Sequence, residues 1–124
     1  MKILAASDLH NDTAAAERLA DYAEKKQVDL VLILGDISIF GELTDGMIEP
    51  FVKKNKKVAF VAGNHDMPGT SEALAQEYKI IDLEHRAIVY DGIGFFGAGG
   101  GNMFPNMVSD EDMLDSLRKG FRYL

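Results

Sequence analysis

The chain contains no cysteine. That absence excludes disulfides and every metal site built on thiolates, so a metal in this protein has to be held by Asp, Glu, His or Asn. No stretch approaches the roughly 20 apolar residues of a membrane-spanning helix. The opening Met1-Lys2-Ile3-Leu4-Ala5-Ala6-Ser7-Asp8 also turns polar too early for a secretory signal. The expectation is a soluble, cytoplasmic protein with no membrane partner. Positive charge is scarce as well: 13 Lys and Arg against 20 Asp and Glu leave a formal net charge of −7. Binding to nucleic acid without sequence preference rests on excess Lys and Arg that displace counterions from phosphates, so no nucleic-acid partner is indicated. The one basic cluster, Lys53, Lys54, Lys56 and Lys57, reads as a solvated helix end favoured by the helix dipole.

What the chain does have is the patterning of one α/β domain. Its 124 residues, 47% of them hydrophobic, suffice to bury roughly two thirds of the surface an unfolded chain exposes. Residues 2–6, 29–34 and 58–62 are short, nearly continuous apolar runs, the signature of strands buried on both faces of a parallel sheet. Between the first two, Ala15, Leu19, Tyr22 and Ala23 recur at helical spacing after an Asn11-Asp12 cap candidate, which predicts a βαβ unit. A second helix is expected over about 45–54 with Pro50 in its first turns, and a third over 71–78, leading to Ile80-Ile81. Residues 87–90 and 93–96 flank Asp91-Gly92 and read as a hairpin. Residues 97–102 read as a flexible glycine-rich loop, a mobile lid or a plain connection. Ser109-x-x-Asp112 is a capping box opening a last helix that runs to about Lys119, with Gly120 as its stop.

Three polar signatures follow the three N-terminal strands in turn: Asp8-Leu9-His10, Gly35-Asp36 and Gly63-Asn64-His65-Asp66. The carboxyl ends of parallel strands share one edge, where ligands bind in open α/β sheets, so the signatures should converge. A locally extended Asp8-x-His10 would point both side chains the same way and let them grip one ion. Asp36 has two oxygens with which to bridge two cations. Gly35 and Gly63 would relieve crowding where the backbone leaves the strands. Asp12, Asp45 and Asp110 read as caps or turn formers. His85 is expected to precede a strand and to serve as an ordinary surface residue. Gly92-x-Gly94-x-x-Gly97 matches a dinucleotide-binding pattern in form only, because it opens no helix.

This ordered set, Asp-x-His, Gly-Asp and Gly-Asn-His-Asp, resembles the calcineurin-like metallophosphoesterase family, closely over about residues 2–66 and loosely beyond. The resemblance implies the N-terminal part of a four-layer αββα fold, a parallel βαβαβ start followed by a hairpin-like second-sheet segment. It implies Asp8 and His10 on a first metal, Asp36 bridging to a second, and Asn64 on that second metal. His65 would act on the substrate and its leaving group, oriented by Asp66. The implied cofactors are divalent ions, Mn, Fe or Zn, two in a complete site, and the implied reaction is hydrolysis of a small-molecule phosphate mono- or diester through a metal-activated water. The family's later ligands, a further His and a Gly-His-x-His pair, have no counterpart among the three histidines here. The chain is therefore expected to be a single domain over 1–124, truncated at its C-terminus. The alternative is a catalytically impaired metal-binding or self-assembling module, with a homodimer covering the unpaired hairpin edge.

Overall fold

The computed structural model describes residues 1–124. Its centre is a parallel sheet in which β1 (Ile3–Ala6), β2 (Leu30–Leu34), β3 (Lys57–Val61) and β4 (Ile81–Asp82) lie in sequence order. The register pairs Ile3 with Leu30 and Leu30 with Lys57, so the first three strands end level with one another. β2 and β3 are the inner strands; in β2, Leu30, Val31 and Ile33 are fully buried, which explains the unbroken apolar run.

Helix α1 (Thr13–Lys25) joins β1 to β2 and buries Ala16, Ala20 and Ala23. Asp12 is its cap, accepting from the Ala15 N–H at 2.9 Å. Helix α2 (Glu49–Lys53) is shorter than the sequence predicts. Residues 45–48 stay outside it, and the Glu49 carboxylate turns back to accept from the Gly46 N–H at 2.8 Å. Burial of the Glu49 carboxyl is outweighed by hydrogen bonds from Tyr78 and the backbone, which hold its pKa below the usual value. Helix α3 (Thr70–Tyr78) precedes β4. The main core packs Phe51, Phe60, Ile33, Ile37, Met47 and Ile48 between the helices and the sheet.

The hairpin is as expected: β5 (Ile88–Tyr90) and β6 (Ile93–Phe95) pair antiparallel across Asp91-Gly92 as a separate two-stranded sheet. Helix α4 (Asp110–Arg122) closes the chain, with the Ser109 hydroxyl accepting from the Asp112 N–H at 3.1 Å. Gly120 does not stop this helix but lies inside it, because a side chain there would meet the Phe96 ring at 2.9 Å. Glycine at this position serves close packing. The lysine cluster is also more engaged than a solvated face: Lys54 bonds Asp21 and Glu24 of α1, each at 3.1 Å, and Lys57 lies 4.2 Å from the Tyr90 ring centroid. No helix is long and apolar enough to cross a membrane.

Candidate metal centre

The chain leaves β1 and β2 side by side. Beyond the last paired residues, Asp8 N–H donates to the Gly35 carbonyl, His10 N–H to Asp36 and Asn11 N–H to Ile37, at 3.1, 3.0 and 2.9 Å. This short ladder sets the first two signatures against each other. It is not extended, as the sequence suggested: Asp8, His10, Asn11 and Asp36 all have positive φ, at 56°, 43°, 61° and 52°. Left-handed backbone is uncommon outside glycine, although Asp, Asn and His tolerate it better than other residues, and four such positions gather where a site over-determines the geometry. The result is still convergence. Ligand-capable atoms of Asp8, His10 and Asp36 all lie within 4.8 Å of one another.

His10 is aimed as well as placed. Its Nδ1 stands 2.9 Å from the Ser38 carbonyl oxygen, which can only accept, so Nδ1 carries the hydrogen and Nε2 keeps its lone pair. Nε2 faces the Asp8 carboxylate at 3.7 Å. Two carboxylates and an imidazole whose far nitrogen is pinned by a carbonyl form a donor set suited to a divalent transition metal.

Asp36 also ties in the third signature, since its Oδ1 accepts from the His65 N–H at 2.9 Å. The two strand-end glycines make this approach possible. A Cβ on Gly35 would lie 2.8 Å from the Gly63 Cα, and one on Gly63 would collide with the Asp36 carboxylate. Asn64 immediately precedes His65 and is held through its backbone carbonyl by the Asn106 N–H at 3.1 Å. The His65 ring packs 5.0 Å from both the His10 ring and the Phe40 ring, centroid to centroid. Its Nδ1 is buried without a hydrogen-bond partner.

Asp66 therefore does not orient the His65 ring. It is fully buried, and Ser38 N–H, Ser38 Oγ and Gly63 N–H donate to its carboxylate at 2.9, 2.7 and 2.8 Å. Its work is to lock the second and third strand-end turns together. Ser38 thus serves both His10 and Asp66. Its signal in the sequence was a polar residue between Ile37 and Ile39, two positions after Asp36.

The glycine-rich loop, expected as a flexible lid or a plain connection, is bonded into the site. Gly97 N–H donates to Leu83, Gly100 N–H to Ala62 and Val108 N–H to Gly101, at 2.9, 2.8 and 2.7 Å. Asn106, which is buried, adds a side-chain bond to the Gly63 carbonyl at 3.2 Å. The segment clamps the third signature from outside. Glu84, in the turn after β4, supports it by accepting from the Ala62 N–H at 2.6 Å and from the Ser71 hydroxyl. Neither Asn106 nor Glu84 carried any pattern that sequence reading could use.

His85 lies apart from the cluster of Asp8, His10 and Asp36. It follows β4 as well as preceding β5, a correction that arises because the two-residue strand β4 was too short to read. Its Nδ1 is 2.6 Å from Oδ2 of the buried Asp82. That bond raises the histidine pKa. A raised folded pKa means the bond stabilises most below the unfolded histidine pKa of about 6.5 and loses this contribution as pH rises through the higher folded value. The difference in urea midpoint between the wild type and His85→Gln is accordingly expected to be largest below about pH 6.5 and to shrink above it.

The family model of the calcineurin-like phosphoesterases matches residues 1–121. The chain belongs to that family. The parallel four-stranded sheet with its helices agrees with the N-terminal part of the metallophosphoesterase fold. No curated protein matches the chain.

Proposed function

We propose that the protein is a metal-dependent phosphoesterase that hydrolyses small phosphate mono- or diesters at the carboxyl edge of β1–β3. The observation that carries this reading is the convergence of Asp8, His10 and Asp36 within 4.8 Å in strained, left-handed backbone. In the proposal Asp8, His10 and Asp36 hold one divalent ion, Mn, Fe or Zn, and Asp36 with Asn64 reaches toward a second. When bound, such ions neutralise phosphate charge and favour deprotonation of the attacking water.

The remaining steps belong to this chain's own side chains. The Ser38 carbonyl keeps His10 in the tautomer that presents Nε2. The buried Nδ1 of His65 has no hydrogen-bond partner, and orphaned buried N–H groups are rarer in folded proteins than under-used acceptors. Nδ1 therefore holds a lone pair, and Nε2 carries the hydrogen that His65 offers as a hydrogen bond to the departing ester oxygen, stabilising its developing charge without giving up the proton. Asp66 contributes by fixing the turns, through Ser38 and Gly63.

The test is hydrolysis of bis-p-nitrophenyl phosphate and p-nitrophenyl phosphate by the purified chain, with Mn²⁺ and with a chelator. Turnover that requires Mn²⁺ is expected. Metal uptake without turnover would favour a metal-binding module derived from the family, a reading to which the single group of three ligands lends support.

A further inference from the structure

Resting on that reading, we infer that Phe40 is a specificity-determining residue which selects phosphate esters with an aromatic departing group. Ile39 and Glu42 form an antiparallel bridge, with Glu42 N–H donating to Ile39 at 2.9 Å. The two residues between them, Phe40 and Gly41, have φ of 46° and 81°. Positive φ at both central positions defines a type I′ turn, which favours Asn, Asp or Gly first and Gly second. The chain obeys that preference at Asp91-Gly92, where φ is 50° and 76°. At Phe40 it does not. A bulky residue in left-handed backbone is an outlier that points toward function.

Core packing does not explain the phenylalanine, because 63% of it is exposed. Its ring sits 5.0 Å from that of His65, tilted by 56°, beside the residue proposed to serve the leaving group. The turn is also fastened to the site. Gly41 N–H donates to the His65 carbonyl at 2.7 Å, and the Asn11 side chain, next to His10, donates to Glu42 at 2.7 Å and accepts from Thr44 N–H at 3.0 Å. Ile39, which precedes Phe40 in the turn, and Met67, whose side chain lies over Gly41, are both exposed. A rigid turn thus holds an open aromatic face at the edge of the metal cluster, bordered by apolar groups. The ester group that such a wall rewards is a planar ring able to stack on it.

Calorimetry in saturating Mn²⁺ with phenylphosphonate and methylphosphonate tests the inference. Neither probe can be hydrolysed, so activity is not needed. The phenyl probe is expected to bind roughly five- to tenfold more tightly. Phe40→Asn, which suits the left-handed turn and so preserves folding, should reduce that ratio to within about twofold, while Phe40→Tyr should keep it. Equal affinities in the wild type, or an undiminished ratio in Phe40→Asn, would overturn the inference and leave the phosphoesterase reading standing. Binding of neither probe would overturn both.

Discussion

Asp66→Ala is expected to lose about 3 kcal/mol or more of unfolding free energy, enough to threaten folding at physiological temperature. The carboxylate is fully buried and satisfies two backbone N–H groups and one hydroxyl, from Ser38 and Gly63. An alanine leaves the Ser38 and Gly63 backbone N–H groups without an acceptor, while the Ser38 hydroxyl keeps only its 3.3 Å bond to the His65 carbonyl, and each orphaned donor costs about 1–3 kcal/mol. Asp66→Asn should fall between the two, because its amide oxygen can still serve one side while its NH₂ opposes a donor on the other. Urea denaturation of the three proteins gives the ranking. A loss under about 1 kcal/mol for the alanine variant would mean that these hydrogen bonds do not hold the turns. A family-based assignment of Asp66 to ring orientation alone would anticipate a rate defect in a protein of ordinary stability.

His65→Ala is expected to lower turnover by about 10² to 10³, the usual range for losing one hydrogen-bond donor to developing charge, with metal content largely retained. Asp36→Ala should remove both metal and turnover. The contrast follows from position. Asp36 shares the cluster with Asp8 and His10, whereas the His65 ring meets the His10 ring edge to face, 5.0 Å between centroids, from outside that trio. Metal analysis alongside p-nitrophenyl ester hydrolysis separates the two roles. Equal metal loss in both variants would make His65 a ligand.

Much of this architecture was legible because it follows from simple periodicity. Short unbroken apolar runs between turn signals read as strands of a parallel sheet, and three of them in register bring Asp8, Asp36 and Asn64 to one edge. Only the first is not covered on both faces, since β1 lies at the rim of the sheet and leaves Ile3 and Ala5 exposed. Asp91-Gly92 announced its hairpin through turn chemistry alone. What escaped the sequence was of two kinds. Some features depend on long-range contacts with no local pattern, such as Asn106 bonding Gly63 across 43 positions or Gly120 kept small by Phe96. Others contradict local preference, such as the left-handed Asp8, His10 and Phe40. Propensity reasoning assigns such residues to extended backbone or to other positions, and errs where the site demands strain. Asp66 illustrates a third case, in which a motif drew the eye to a residue whose carboxylate bonds Ser38 and Gly63, a long-range pairing with no trace in local pattern.

The central claim is that one divalent ion binds between Asp8, His10 and Asp36. Crystals soaked in Mn²⁺ and measured at its absorption edge test this directly. An anomalous peak is predicted within bonding distance, about 2.0–2.3 Å, of a carboxylate oxygen of Asp8, of His10 Nε2 and of a carboxylate oxygen of Asp36. Ordered density for these three side chains with no peak among them, or a peak at Asp82 and His85 instead, would contradict the account.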